Sequence, residues 1–230
     1  MAIALQALGY ADLRHLMDLQ LGDEKHTQSA TSTLDVIWVL YDRVLRVDPG
    51  RVEDPDRDRF VLSKGHGPMA YYAVLAAKGF IDVDTLRTFG RYDSLLGHHP
   101  DRSLVPGVEI SSGSLGHGLG IAVGMALGLR ARRSTARVFC LVGDAELDEG
   151  SNHEAIAFAG RAHLENLVCV AVDNQSASHG WPGGLAARFA LEGWSSTAVD
   201  GRSCVDLERA FVAEHVGRPR AVVAVVEAKA

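Results

Sequence analysis

Cysteine is scarce in this chain: Cys140, Cys169 and Cys204 are the three in 230 residues, and none forms a CxxC pair. An odd count without ligand spacing excludes a disulfide framework and a structural zinc site. Cys140 and Cys169 lie in apolar runs that read as buried strands, so reduced core thiols in a cytoplasmic protein are expected. Long apolar runs are also missing. The longest, near Gly120–Leu129, spans about ten residues and is broken by glycines, against the roughly 20 a bilayer span needs. Met1 to Tyr10 lacks a basic start, so no secretory leader is expected. Positive charge is not in excess: 23 basic against 29 acidic residues give a net charge of −6. That argues against a nucleic-acid binder, which needs a basic surface. There is no internal repeat or low-complexity stretch. No GxGxxG follows a strand pattern, which ranks a plain dinucleotide-binding domain last. What is present, 47% hydrophobic and 23% charged residues, can bury a sizeable core.

The patterning changes along the chain. Up to about residue 110 it reads helical; from about 111 it reads α/β. Thr33 to Arg46 carries apolar residues at helix spacing, with Thr31, Ser32 or Thr33 available to cap it and Pro49-Gly50 to end it. Arg51 to Arg59 is charged and contains Pro55, which predicts an exposed loop. Met69 to Lys78 is an apolar helix entered through Pro68. Val83 to Phe89 reads as a short helix, and Tyr92 to Gly113 as loop. Leu115 to Arg130 is a helix rich in Gly and Ala, whose small residues suit close packing on a sheet. Strands are expected at Arg137–Val142, Leu167–Val172, Trp194–Val199 and Ala221–Glu227, with helices at Glu149–His163 and Val205–His215. The alternation predicts a parallel sheet flanked by helices, with any site at the carboxyl ends of the strands.

Two strand ends carry the chemistry. The first runs into Gly143-Asp144-Ala145-Glu146, the second into Asp173-Asn174-Gln175-Ser176. If these strands are neighbours, Asp144 and Asn174 leave the same edge of the sheet. A carboxylate and an amide there are hard oxygen ligands suited to Mg²⁺ or Ca²⁺. A helix N-terminus following Asp144 would favour a phosphate. Singly, each residue has a simpler reading: Asp144 as a helix cap and Asn174 as a turn former.

Gly143-Asp144-Ala145, then 28 residues, then Asn174, resembles the GDG…N signature of thiamine diphosphate enzymes. More narrowly, the chain resembles the N-terminal, diphosphate-binding half of transketolase. Leu62-Ser63-Lys64-Gly65-His66-Gly67 matches that family's SKGH segment. Gly97-His98-His99-Pro100-Asp101 is similar to its GHP segment, and the stretch from Pro106 to Gly118 to its PGVE-(S/T)TGSLG(H/Q)G run. Glu149-Gly150, Gly193-Trp194 and Val199-Asp200-Gly201 also fit. The resemblance spans about His26 to Val226.

The resemblance implies a single thiamine diphosphate-binding domain of the diphosphate type over 1–230, and a set of roles. Asp144 and Asn174 would bind Mg²⁺ through their side chains and Ser176 through its carbonyl, with Ca²⁺ a possible substitute. His66, Gly113, Ser114, Leu115, Gly143, Asp144, Ala145 and Asn174 would contact the cofactor. His26, His66 and His99 would surround the reacting carbon and the sugar hydroxyls, where proton transfer calls for a pKa near 7. Glu149 would face a partner chain. His98 beside His99 leaves open which of the two enters the site. His117 and His153 read as structural, and His179 has no assigned role. The implied reaction moves a two-carbon ketol unit from a ketose to an aldehyde acceptor. The family's second domain, which activates the aminopyrimidine, has no counterpart in these residues. A separate pyrimidine-binding subunit in an α2β2 assembly is therefore expected.

Three features depart from the pattern. Ala145 replaces a glycine, which would be strained if its φ were positive. Gln28-Ser29-Ala30 replaces a Pro-Gly-Gly turn after His26. The sequence ends at Glu227-Ala228-Lys229-Ala230, where the family continues through a KGKG segment to another histidine. Two other readings stand beside this one. One is an α-like subunit of a 2-oxo acid decarboxylating or acyl-transferring enzyme, against which the SKGH and GHP histidines weigh. The other is a non-catalytic half that only binds a partner.

Overall fold

A computed structural model describes residues 8–20, 30–65 and 68–228. Its centre is a five-stranded, all-parallel sheet in the order β1-β2-β3-β5-β4. The strands are β1 (Arg59–Leu62), β2 (Val138–Gly143), β3 (Leu167–Asp173), β4 (Ser195–Asp200) and β5 (Arg220–Val225). The helices are α1 (Leu13–Asp18), α2 (Leu34–Val39), α3 (Met69–Ala77), α4 (Val83–Leu86), α5 (His117–Ala131), α6 (Gly150–Arg161), α7 (Gly184–Leu191) and α8 (Cys204–Val212). No helix among the described residues is long and apolar enough to cross a membrane.

Strand alternation divides the core in two. Cys140, Val142, Cys169, Ala171 and Val223 point to one face, where α5, α6 and α7 contribute Leu119, Ala122, Ile156 and Phe189. Phe139, Leu141, Val170, Val172 and Val222 point to the other, where α1, α2, α3 and α8 pack. β2 and most of β3 are buried on both faces, which is why they read as unbroken apolar runs. α3 is buried on nearly all sides, matching its apolar composition. The expected parallel sheet with flanking helices is what the structure shows.

Several local readings are corrected. β1 lies within the segment read as helical: only four residues long, it carries no alternation to mark it, yet it pairs with β2 along its length. α7 follows Pro182-Gly183 and opens on Gly184, turn residues that mask the Leu185/Phe189 spacing behind them. α2 passes into a π-helical turn, Leu40–Val44, and ends at extended Leu45, short of Pro49. Thr33 heads α2 without a side-chain cap, its hydroxyl bonding instead to the Ala30 carbonyl at 2.9 Å. In α5, Ala122 and Ala126 face the sheet, but a methyl placed on Gly120, Gly124 or Gly128 would meet no heavy atom within 4 Å among the described residues outside the helix's own backbone. Those three glycines do not serve packing on the sheet.

The start of β1 is held by Asp58, which is fully buried. It accepts from the Arg46 amide (3.1 Å) and guanidinium (3.0 Å), and from the Arg137 amide (2.8 Å) and guanidinium (2.7 Å). Burial alone would raise its pKa; the hydrogen bonds from Arg46 and Arg137 outweigh it and hold the carboxyl below the usual range.

Candidate cofactor site

β2 and β3 are neighbours, with Gly143 opposite Val172. The Asp144 amide donates to the Val172 carbonyl at 3.0 Å, so Asp144 and Asn174 emerge from adjacent strands at one carboxyl edge. Parallel pairing forces this, because both strands end in the same direction. Asp144 is 1% exposed and Asn174 4% exposed. Gln175, at φ 56°, turns the chain back so that Ser176 meets Asp144. The Ser176 amide donates to Asp144 Oδ2 at 2.6 Å, its hydroxyl to Oδ1 at 2.7 Å, and the Ala177 amide to Oδ2 at 3.2 Å. Asn174 Oδ1, by contrast, is buried and has no hydrogen-bond partner among the described residues. A buried acceptor left unpaired costs about 1–3 kcal/mol unless a donor or cation satisfies it.

One expectation about this edge is corrected. The residues after Asp144 form a short 3₁₀ turn, Ala145–Asp148, and α6 begins only at Gly150. The α6 terminus does not follow Asp144 directly. The same turn answers the question over Ala145. Among the described non-glycine residues only Arg133, His163 and Gln175 have positive φ, so Ala145 carries no left-handed strain.

The floor of the site joins three sequence segments through one acid that sequence reasoning passed over. Glu146, 2% exposed, accepts from the Ser63 hydroxyl, from the Gly116 amide at 3.0 Å and from the Gly143 amide at 3.2 Å. Burial raises its pKa, and those three donors with the nearby Lys64 charge oppose the rise. Ser63 also accepts from the Gly118 amide at 3.0 Å. Lys64 lies across Gly143: a methyl placed there would sit 3.2 Å from the lysine stem, whose Nζ reaches the Ser32 hydroxyl at 3.1 Å. The only signal for Glu146 was its place between two motif residues, and nothing in its spacing announced partners so distant in sequence.

The wall is built from the glycine-rich segment. Gly113 adopts φ 136°, and a methyl on it would lie 3.1 Å from the His99 ring. Glycine is required there for the backbone and for the histidine that packs on it. The Ser112 amide donates to the Pro100 carbonyl at 3.1 Å, tying the His99 segment to the same turn. Ser112 Oγ is buried without a hydrogen-bond partner among the described residues, a second polar atom of this region left unsatisfied. The His98 ring instead stands edge-on to Phe89 at 5.3 Å, so His99 is the histidine on the Gly113 side. Ser114 is exposed, and Leu115 is half-buried next to Gly116. Glu149 is exposed at the head of α6, its Cβ packed against Gly116.

Asp148, another residue not singled out from sequence, moors the loop after Asn174. Its Oδ2 accepts from the Ser178 amide at 3.1 Å and the His179 amide at 3.3 Å. His179 thus enters through its backbone. The His153 ring packs on Trp181, with centroids 5.0 Å apart. His26 and His66 lie outside the described residues, as do Gly67 and Gln28-Ser29. Gly65, which precedes His66, is described: a methyl on it would lie 2.9 Å from the Gly113 amide, so Gly65 lies against the glycine turn.

No group of three His, Cys, Asp or Glu side chains among the described residues could hold a metal by itself. One carboxylate, one unpaired amide oxygen and a loop carbonyl do not complete an octahedron. They do fit an ion that takes its remaining oxygens from a bound diphosphate, which is how magnesium is usually held.

Known proteins agree with this architecture. The family model described as transketolase, thiamine diphosphate binding domain, matches residues 15–226. A protein named ferredoxin fas2 from Rhodococcoides fascians is 54% identical over 94% of this chain and 72% of its own length. An apulose-4-phosphate transketolase subunit from Phocaeicola vulgatus is 35% identical over 81% of this chain and 68% of its own; its namesake from Actinobacillus succinogenes is 43% identical over 63% of this chain and 52% of its own. In fold, the chain is similar to the transketolase of Campylobacter jejuni, with a TM-score of 0.77 at 22% identity, covering 95% of this chain and 38% of that one. The Leishmania mexicana transketolase gives 0.76 at 24% identity, covering 91% and 36%. The chain spans little more than a third of these solved transketolases and about half to three-quarters of the three curated relatives just named. Ordered motifs, strand edge and family match converge on one assignment: the chain belongs to the transketolase family, as its thiamine diphosphate-binding domain.

Proposed function

We propose that this chain is the diphosphate- and magnesium-binding component of a two-component transketolase, moving a two-carbon ketol unit from a ketose to an aldehyde acceptor. The observation that carries the reading is the buried, unpaired Asn174 Oδ1 at the strand edge it shares with Asp144. Asp144, Asn174 and the Ser176 carbonyl would hold Mg²⁺, with Ca²⁺ able to substitute. Ala145 and His66 would contact the diphosphate, and Gly113, Ser114 and Leu115 the ring region. Bound thiamine diphosphate supplies an electron sink for breaking the bond next to a ketose carbonyl.

The protein's own share is proton handling and orientation. His99, set against Gly113 at the rim, would move protons on sugar hydroxyls together with His26 and His66. Donors fixed by the sheet edge need no reorganisation as charge develops, which is where such sites gain most. Glu149, exposed at the head of α6, would contact the partner chain. Several relatives are themselves named as transketolase subunits: the two apulose-4-phosphate proteins and the 6-deoxy-6-sulfo-D-fructose transketolase subunit SqwG of a Clostridium strain. Those names support a separate partner subunit and sugar phosphates or related sugars as substrates; the proposed partner is the pyrimidine-binding subunit, in an α2β2 assembly. The buried thiols Cys140 and Cys169 suit the reducing cytoplasm.

The test is reconstitution. Purified chain, partner, Mg²⁺ and thiamine diphosphate are offered ketose phosphates and, separately, 2-oxo acids. Turnover of ketoses by the pair, and none by this chain alone, is expected. Sustained turnover by the chain alone would refute the two-component reading, and preference for 2-oxo acids would refute the transketolase reading.

A further inference from the structure

Glu146 is a buried acid with no place in the chemistry described above. Burying a carboxylate is costly even after relaxation. An apolar residue at this point of a 3₁₀ turn would avoid that cost. What the carboxylate obtains is a junction. Its three donors come from residues 83, 30 and 3 positions away: the Ser63 hydroxyl, the Gly116 amide and the Gly143 amide.

Each donor belongs to a segment expected at the cofactor. Ser63 precedes Lys64 and Gly65 of the SKGH segment. Gly116 follows Leu115. Gly143 precedes Asp144. The lattice is closed by the Gly118 amide, which donates to the same Ser63 hydroxyl at 3.0 Å. One side chain therefore sets the spacing between the three segments that meet at the strand edge. At 2% exposure it lies beneath the site and not in it.

We propose that Glu146 is a positioning residue for cofactor binding: its carboxylate locks Ser63 at the end of β1, the glycine turn and the Asp144 strand end into one register, and cofactor affinity depends on that lock. The inference rests on the transketolase reading and deepens it. Partners that orient a ligand from outside the contact layer typically contribute about 10–100-fold in affinity. Glu146→Ala removes the junction. Glu146→Gln keeps the shape and can still accept from Ser63 and Gly116 with one oxygen, but it turns an N–H₂ toward the Gly143 amide. Ser63→Ala removes one donor while leaving the acid.

The experiment measures the half-saturating concentration of thiamine diphosphate, at fixed Mg²⁺, in the reconstituted enzyme, alongside the ketose KM and the melting temperature of each variant. Expected is a rise of about tenfold or more in half-saturating cofactor for Glu146→Ala and a smaller rise for Glu146→Gln and Ser63→Ala, with ketose KM within about twofold. A purely structural role would lower the active fraction and the melting temperature but leave half-saturation where it was. An unchanged half-saturation in folded Glu146→Ala overturns the proposal. Should that variant fail to fold, an unchanged value in both Glu146→Gln and Ser63→Ala overturns it equally. Wild-type enzyme that turns over ketoses with no dependence on thiamine diphosphate would overturn the functional reading itself, and this inference with it.

Discussion

Ser176 donates both its amide and its hydroxyl to the carboxylate of Asp144, 32 residues earlier, at 2.6 and 2.7 Å. The two strand ends are thus joined by the protein's own hydrogen bonds, and the acid is oriented before any ligand arrives. Preorganisation of this kind lowers the ordering cost of binding.

Asp144→Ala should abolish binding of magnesium–thiamine diphosphate, because it removes the only carboxylate of the ligand set and the acceptor of the Ser176 and Ala177 donors. Titration calorimetry on the reconstituted enzyme checks this. Normal affinity in the variant would count against the assigned cation site.

Asn174→Ala separates binding from stability. The amide oxygen has no partner to lose among the described residues, so the melting temperature should stay within a few degrees of wild type. Cofactor affinity should fall by roughly tenfold or more, the scale of a lost ligand or orienting group. A large loss of stability with intact affinity would mean that Asn174 only shapes the turn.

The two adjacent histidines should behave differently. His99→Ala should cut turnover of the reconstituted enzyme by about 10²-fold or more, the range for a positioned acid–base group. His98→Ala, which removes the ring packed on Phe89, should cost about 1 kcal/mol of stability and leave turnover near wild type. Steady-state kinetics on both variants decides; the reverse pattern would exchange their assignments.

Asp58 makes stability acid-sensitive. Its folded pKa is depressed, so its contribution is present above the unfolded value near 4 and is lost as pH falls through the folded one. Asp58→Ala should destabilise by about 2–4 kcal/mol at pH 7, since it strands the part-buried Arg46 and Arg137 amides while both guanidinium groups can still reach water. The gap between variant and wild type in urea unfolding should shrink as pH is lowered toward about 3. A constant gap across pH would show that the carboxylate charge contributes nothing.

How far the sequence reached depends on the kind of signal. β2 and β3 were legible because a strand covered on both faces must be continuously apolar, and Asp144 and Asn174 because each lies just past the end of such a run. β1 was missed since four residues hold too little pattern, and α7 since turn residues precede it. The Gly-rich α5 was located correctly, but its glycines were assigned to the sheet, and the structure turns three of them outward. Periodicity locates a helix before it reveals which neighbours a helix has.

Local chemistry, then, settled the parallel sheet, the carboxylate and amide at its strand ends and the motif order, because strand burial and turn formation are properties of short segments. Only the folded chain could decide that Ser176 caps Asp144, that His99 and not His98 packs on Gly113, and that Glu146 gathers donors from Ser63, Gly116 and Gly143. Those relations join residues scattered through the chain, and their existence depends on strand register and side-chain direction, which no linear spacing encodes.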